Sequence, residues 1–200
     1  MKILFYYFSG TGNTAYVSEK LKGELEKRGA EVFLSDIEKL SAEKTIKADP
    51  EKFDLLGFGY PIHAFRAPAI FDDFVKELKV TGKKYFIVKN SREYMSLNDA
   101  SSAAIVKNMK KKGCSFLREE HLLMPYNIHF KHPDSLVKQM LVALDEKIPT
   151  IADNIIRGKE KPFRRGITAS LSATFIGGAE RWGAHLIGNS LRAGESCVSC

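Results

Sequence analysis

Lys2-Ile3-Leu4-Phe5-Tyr6-Tyr7-Phe8-Ser9-Gly10-Thr11-Gly12-Asn13-Thr14 is the stretch that decides how this chain is read. The apolar and aromatic run over residues 2–8 is long enough for a strand and too short for a membrane span. With no polar position in alternation, it reads as a central parallel strand buried on both faces. Two glycines and four hydroxyl or amide residues then fill six positions, Ser9 to Thr14. From Asn13 to about Arg28 the apolar residues Ala15, Val17, Leu21 and Leu25 recur at helical spacing, and Gly29 stands where a helix C-cap belongs. The unit is a strand, a tight polar loop and a helix.

The same alternation continues down the chain. Strands are expected at Val32–Ser35, at Phe53–Phe58 leading into Gly59-Tyr60-Pro61, and at Lys84–Lys89. Ser115–Leu117 and Leu122–Met124 suggest a further strand with an interruption. Pro68 opens a helix with Ile70, Phe71, Phe74, Val75 and Leu78 on its apolar face. Another helix is expected from Asp99 to Lys112, ending at Gly113, and a long one over 134–157, kinked or restarted at Pro149. Strand–helix alternation with short connections implies a right-handed parallel α/β sandwich. Five strands over this length fit a three-layer, doubly wound sheet of order 2-1-3-4-5. A ligand then binds at the switch point beyond the carboxyl ends of the first and third strands.

Chemistry concentrates in the loops at that end. In Ser9-Gly10-Thr11-Gly12-Asn13-Thr14 the glycines let backbone N–H groups turn inward at a helix N-terminus, and the side chains add donors. The loop has no lysine, so it is not the phosphate loop of nucleotide hydrolases. It is not the dinucleotide fingerprint either. A neutral, hydroxyl-lined cradle suits a phosphomonoester held as a fixed anchor. An N-capped polar turn seldom needs so many such residues together.

Tyr6-Tyr7-Phe8-Ser9-Gly10-Thr11-Gly12-Asn13-Thr14 resembles the FMN phosphate signature of flavodoxins in order and position. The segment from Gly59 to Pro68 (Gly-Tyr-Pro-Ile-His-Ala-Phe-Arg-Ala-Pro) is similar to the second flavin loop of a narrower group. In that group a flavodoxin domain is fused to a ferredoxin domain with two four-iron clusters. Met124-Pro125-Tyr126-Asn127 is similar to that group as well. The resemblance implies a flavodoxin-like fold over residues 1–160, FMN as cofactor, and Pro61, Ile62, His63, Ala64 and Phe65 around one side of the isoalloxazine. Tyr60 or Phe65 would supply the stacking face, and the sequence does not decide between them. His63 is either a flavin ligand or a solvent-facing loop residue. By the same resemblance the third loop, Asn90 to Asp99, meets the pyrimidine edge through Asn90, Ser91 and Tyr94. It lacks the glycines usual there.

Residues 161–200 form an expected helical extension. Ile167, Leu171 and Phe175, then Trp182 and Leu186, make helical stripes broken by Gly177-Gly178, and such a stripe needs a partner surface, a second protomer among the candidates. The chain carries a formal charge of +7, and residues 157–200 hold seven Lys/Arg against three acids. That basic segment suits an acidic partner or a solvated face. Cys197 and Cys200 sit two apart like the opening ligands of a bacterial ferredoxin cluster site. Two thiolates do not hold a cubane, so the expectation is a longer parent chain in which a 4Fe-4S module follows. Cys114, the third cysteine, leaves no framework for secreted disulfides.

The whole implies an FMN-dependent carrier of electrons to a redox partner protein or a fused ferredoxin domain. No nucleic-acid ligand and no integral membrane segment are expected, and cytoplasmic location is the default without a signal peptide. The alternative is an NAD(P)H-dependent flavin or quinone reductase on the same fold. A receiver-type signalling module would need acids after the first strand, where this chain has Tyr6-Tyr7-Phe8-Ser9.

Overall fold

The fold is given by a computed structural model that describes residues 1–43, 48–92, 96–126 and 131–190. Strands β1 (Lys2–Tyr7), β2 (Glu31–Asp36), β3 (Leu55–Pro61), β4 (Lys84–Ser91) and β5 (Ser115–Leu123) form one sheet of order β2-β1-β3-β4-β5, every pairing parallel. Helices α1 (Asn13–Glu26), α2 (Ile37–Glu43), α3 (Ala69–Glu77), α4 (Ala103–Lys111), α5 (Asp134–Ile156) and α6 (Ile167–Ser190) complete the chain. The expected three-layer, flavodoxin-like arrangement with a helical C-terminal extension is what the structure has.

The period of two in β1 explains the layers. Ile3 and Phe5 join the core under α1 and α5, while Leu4 and Tyr6 join the core under α2, α3 and α4. Two glycines of β3 make room between the strands' large rings. A Cβ on Gly57 would lie 2.5 Å from Phe86 and 2.6 Å from Phe5, whose ring centroids are 5.4 Å apart. Gly29 ends the α1 turn with φ 81°, as a left-handed C-cap requires.

Four local expectations change. Residues 96–102 form a 3-10 turn before α4 begins at Ala103, so the helix expected from Asp99 starts later. Ser96, Asn98, Asp99, Ser101 and Ser102 compete for backbone bonds and disfavour an α-helical interior. β5 is continuous rather than interrupted. Phe116 faces Tyr85 and Arg118 faces Phe86, which leaves Leu117 as a one-residue bulge. Helix α5 runs through Pro149 and α6 runs through Gly177-Gly178, both without a break. Helix α2 and a 3-10 turn at Pro50–Lys52 were not read from the sequence. After α5 the chain returns along the outer side of β5. Lys161 donates its N–H to Leu117 at 2.9 Å, Arg118 reaches the Lys159 carbonyl at 2.8 Å, and Phe163 meets Phe116 edge-on.

Helix α6 docks with the face opposite to the one its apolar stripe suggests. Ala169 and Gly177 are buried against the body, over the 96–102 turn and the loop after β3. Ile167, Leu171, Phe175, Trp182 and Leu186 face outward, from 48% to 82% exposed. Close approach needs small side chains, so the small face wins the contact and the large apolar stripe is left uncovered. Among the described residues no helix is long and apolar enough to cross a membrane.

Candidate functional site

A cavity of about 400 Å³ opens at the carboxyl ends of the central strands. The loops after β1, β3, β4 and β5 line it, and of the residues singled out in sequence Ser9, Gly10, Thr11, Asn13, Thr14, Pro61, Ile62, His63, Ala64, Phe65, Asn90 and Ser91 are all in its wall. Gly12 lies outside the lining and serves the backbone instead, with φ 91°, a conformation costly for any side chain. Tyr94, Cys197 and Cys200 lie outside the described residues.

The first loop is held from several sides. Ser9 Oγ accepts the Ala15 N–H at 3.0 Å and so caps α1, while its own proton stays free to be donated. The Asn13 amide reaches across to the Pro125 carbonyl at 2.7 Å. Thr14 donates its hydroxyl to Asn90 Oδ1 at 2.8 Å, both groups buried. These two side chains tie the loop to those after β5 and β4. Backbone donors remain beside the Ser9 hydroxyl. Among the described residues the N–H groups of Gly10, Asn13 and Thr14 make no hydrogen bond, at the positive end of a 14-residue helix.

The second loop is a tight turn. His63 and Arg66 exchange backbone hydrogen bonds of 2.9 and 2.8 Å, and the two central residues, Ala64 (φ 43°) and Phe65 (φ 64°), are both left-handed. This is the geometry of a type I′ turn, usually filled by Asn-Gly. Ile62 N–H bonds the Asn90 carbonyl and Ala67 N–H bonds that of Ser101, so the strained pair is pinned on both sides. On its outer side the turn meets α6, where a Cβ on Gly177 would stand 2.7 Å from the Ala64 carbonyl oxygen.

The question of which aromatic faces the cavity resolves for Phe65. Tyr60 is fully buried against Phe71, with its hydroxyl 2.8 Å from Ser102 Oγ, and burial pushes that phenol well above its ordinary range. On the opposite side stands Tyr126, with the Arg92 guanidinium over its ring at 5.8 Å. Among the described residues no carboxylate lines the cavity, and Arg92 and His63 do.

Other participants were not singled out in sequence. Asn98, Met124, Pro125 and Tyr126 line the cavity, the last three within a segment whose resemblance had been noted without assigning roles. Below Asn98 lies a buried ion pair. Lys89, 2% exposed, reaches Glu119 at 3.0 Å and the Asn98 carbonyl at 3.1 Å, and Glu119 also takes the Ser102 hydroxyl. Ser91 Oγ stands 2.7 Å from His121 Nε2. Burial first, then Lys89 and Lys147, lower the His121 pKa to about 4, so the ring is neutral at ordinary pH.

No protein-family model matches the chain, and no curated protein matches it. Solved structures do. A short-chain flavodoxin associated with a bacterial microcompartment aligns with TM-score 0.55 and 19% identity over 78% of this chain and 97% of that one. The two-electron reduced flavodoxin of Megasphaera elsdenii gives 0.51 and 18% over 76% and 98%. An azoreductase from Bacillus anthracis gives 0.52 and 13% over 77% and 99%. Identities this low speak for architecture alone, and with the sheet order and the place of the cavity they establish that the chain has the flavodoxin-like fold.

Proposed function

We propose that this chain binds FMN in the cavity and works as a low-potential electron carrier. The observation that carries the reading is the ring of unbonded N–H groups at the start of α1, in a lysine-free loop at the switch point between β1 and β3. A phosphate monoester satisfies those donors without a catalytic cation. Among the described residues the wall has no carboxylate to repel the dianion. Phe65 and Tyr126 offer flat apolar surface for a ring system, and Asn90, Ser91 and Asn98 offer polar atoms at its edge. When bound, FMN supplies one- and two-electron redox chemistry. The chain's part is to fix the ring, exclude water from one side and set its potential.

The finer reading concerns the partner. Electrons pass to a redox protein carrying iron–sulfur clusters, either separate or fused beyond α6. In the fused case Cys197 and Cys200 are the first two ligands of a 4Fe-4S site. The outward stripe of α6 is the surface such a module, or a second protomer, would cover. A cytoplasmic location fits a carrier of this kind.

Visible absorption spectra of the purified protein, before and after FMN addition and desalting, test the reading. A retained flavin band supports it. Loss of all flavin on desalting refutes it, and steady turnover of bound flavin with NAD(P)H alone replaces the carrier by a reductase.

A further inference from the structure

Helix α6 creates two hollows beside the flavin cavity, the second of which shares His63 and Ala64 with it. Nearer its start, a cleft of about 230 Å³ is bounded by α6, the first turn of α4 and the loop after β3. Three cations from three distant stretches line it: Arg66, Lys107 and Arg165. Among the described residues none of the three makes an ion pair, and Arg165 spends one N–H on the neutral Ser170 hydroxyl. Among the described residues Asp72 is the single carboxylate in the wall. Ser101, 3% exposed, also lines the cleft. Three cations lining one cleft favour an anion between them. Two guanidinium forks and an ammonium match phosphate oxygens better than a lone carboxylate does.

The second hollow lies one to two turns further along α6, has a volume of about 780 Å³ and shares Arg66 with the first. Its walls include Trp182, 68% exposed, with His63 and His185, and among the described residues no carboxylate. Along the helix axis Trp182 is about 12 Å from Thr174 of the cleft, at 1.5 Å per residue. A flat aromatic surface at that distance from a cationic cleft suits the base and the phosphates of one molecule.

We propose that the α6 hollows bind a nucleoside diphosphate group, its phosphates between Arg66, Lys107 and Arg165 and its base against Trp182. The phosphate cleft shares no lining residue with the flavin cavity, whereas the base hollow meets it at His63 and Ala64, in the turn that the Arg66 backbone closes. The inference rests on the placement of α6 and not on the flavin reading.

Trp182 is the chain's single tryptophan, so the tryptophan fluorescence reports its hollow. The full chain is titrated with ADP, adenosine and pyrophosphate, with calorimetry in parallel. Saturable quenching by ADP is expected, with adenosine at least tenfold weaker and pyrophosphate displacing ADP without quenching. Lys107→Glu and Arg165→Glu replace exposed side chains and keep the fold, which circular dichroism checks. Each should weaken ADP by tenfold or more. Absence of both quenching and heat at millimolar ADP overturns the proposal, as does unchanged affinity in the two variants. Equal affinity for pyrophosphate and ADP removes the base subsite and overturns the nucleotide assignment. Flavin retention is read independently in the visible band, so failure of one reading does not mimic failure of the other.

Discussion

Adjacent glycines in α6 should respond to the same substitution with opposite signs. A Cβ on Gly178 meets nothing within 4 Å, so Gly178→Ala gains only helix propensity, about 1 kcal/mol. A Cβ on Gly177 would stand 2.5 Å from Arg66 Cδ and 2.7 Å from the Ala64 carbonyl oxygen. The arginine stem can swing away. The carbonyl belongs to a turn pinned at both ends and cannot. Overpacking of this kind costs about 1–3 kcal/mol, which offsets the propensity gain or exceeds it. The two variants should therefore differ by about 1–3 kcal/mol in the undocking of α6, or roughly five- to 150-fold in its opening equilibrium. Amide hydrogen exchange along α6 measures that equilibrium directly, with Trp182 emission as a second probe. Gly178→Ala should slow exchange about fivefold, while Gly177→Ala leaves it unchanged or speeds it. Equal protection in both variants would refute the contact between α6 and the turn.

Thr14→Val strands the buried Asn90 Oδ1 and should cost about 1–3 kcal/mol in urea unfolding. Lys89→Met leaves the Glu119 carboxylate without its partner and should cost about 3–5 kcal/mol, while Lys89→Met with Glu119→Gln should recover most of it. Ala64→Gly relieves a left-handed residue, a gain of about 1–2 kcal/mol less about 0.5–1 for the freer unfolded chain, and should raise the thermal midpoint slightly. His121 has a folded pKa depressed to about 4 from 6.5, so the unfolded chain binds the proton more readily. Stability should fall as pH drops from about 6.5 towards 4, and His121→Gln should flatten that window in urea midpoints measured against pH.

Where an element carried a pattern of its own, sequence was enough. Buried parallel strands announce themselves as unbroken apolar runs, and residues 2–8 and 84–89 did so. The glycine and hydroxyl loop between Ser9 and Thr14 lies in the cavity wall because a strand end and a helix start leave it nowhere else to go. What stayed hidden depends on partners distant in the chain. Nothing local tells Tyr60 from Phe65 as the ring that meets the cavity; the hydroxyl of Ser102, forty-two residues on, draws Tyr60 inward. The Ala64–Phe65 turn has no Asn-Gly signal because pinning by Asn90 and Ser101 replaces intrinsic preference. The apolar stripe of α6 was visible, but its orientation was decided by the small residues Ala169 and Gly177 on the other face.

The return of the chain along β5 bears on solubility. A parallel sheet ends in a row of unpaired peptide groups, a ready template for another molecule's strand. On β5 two carbonyls of that row are taken by Lys161, its N–H on Leu117 and its ammonium on Glu119, while the Arg118 side chain holds the Lys159 carbonyl alongside. A charged segment of this kind is poor material for further strand addition. The bulge at Leu117 twists the same margin out of register. A protein cut back to residue 157 would keep its five strands and lose this guard. It should precipitate or form sheet-rich assemblies at concentrations where a protein ending at 166 stays monodisperse.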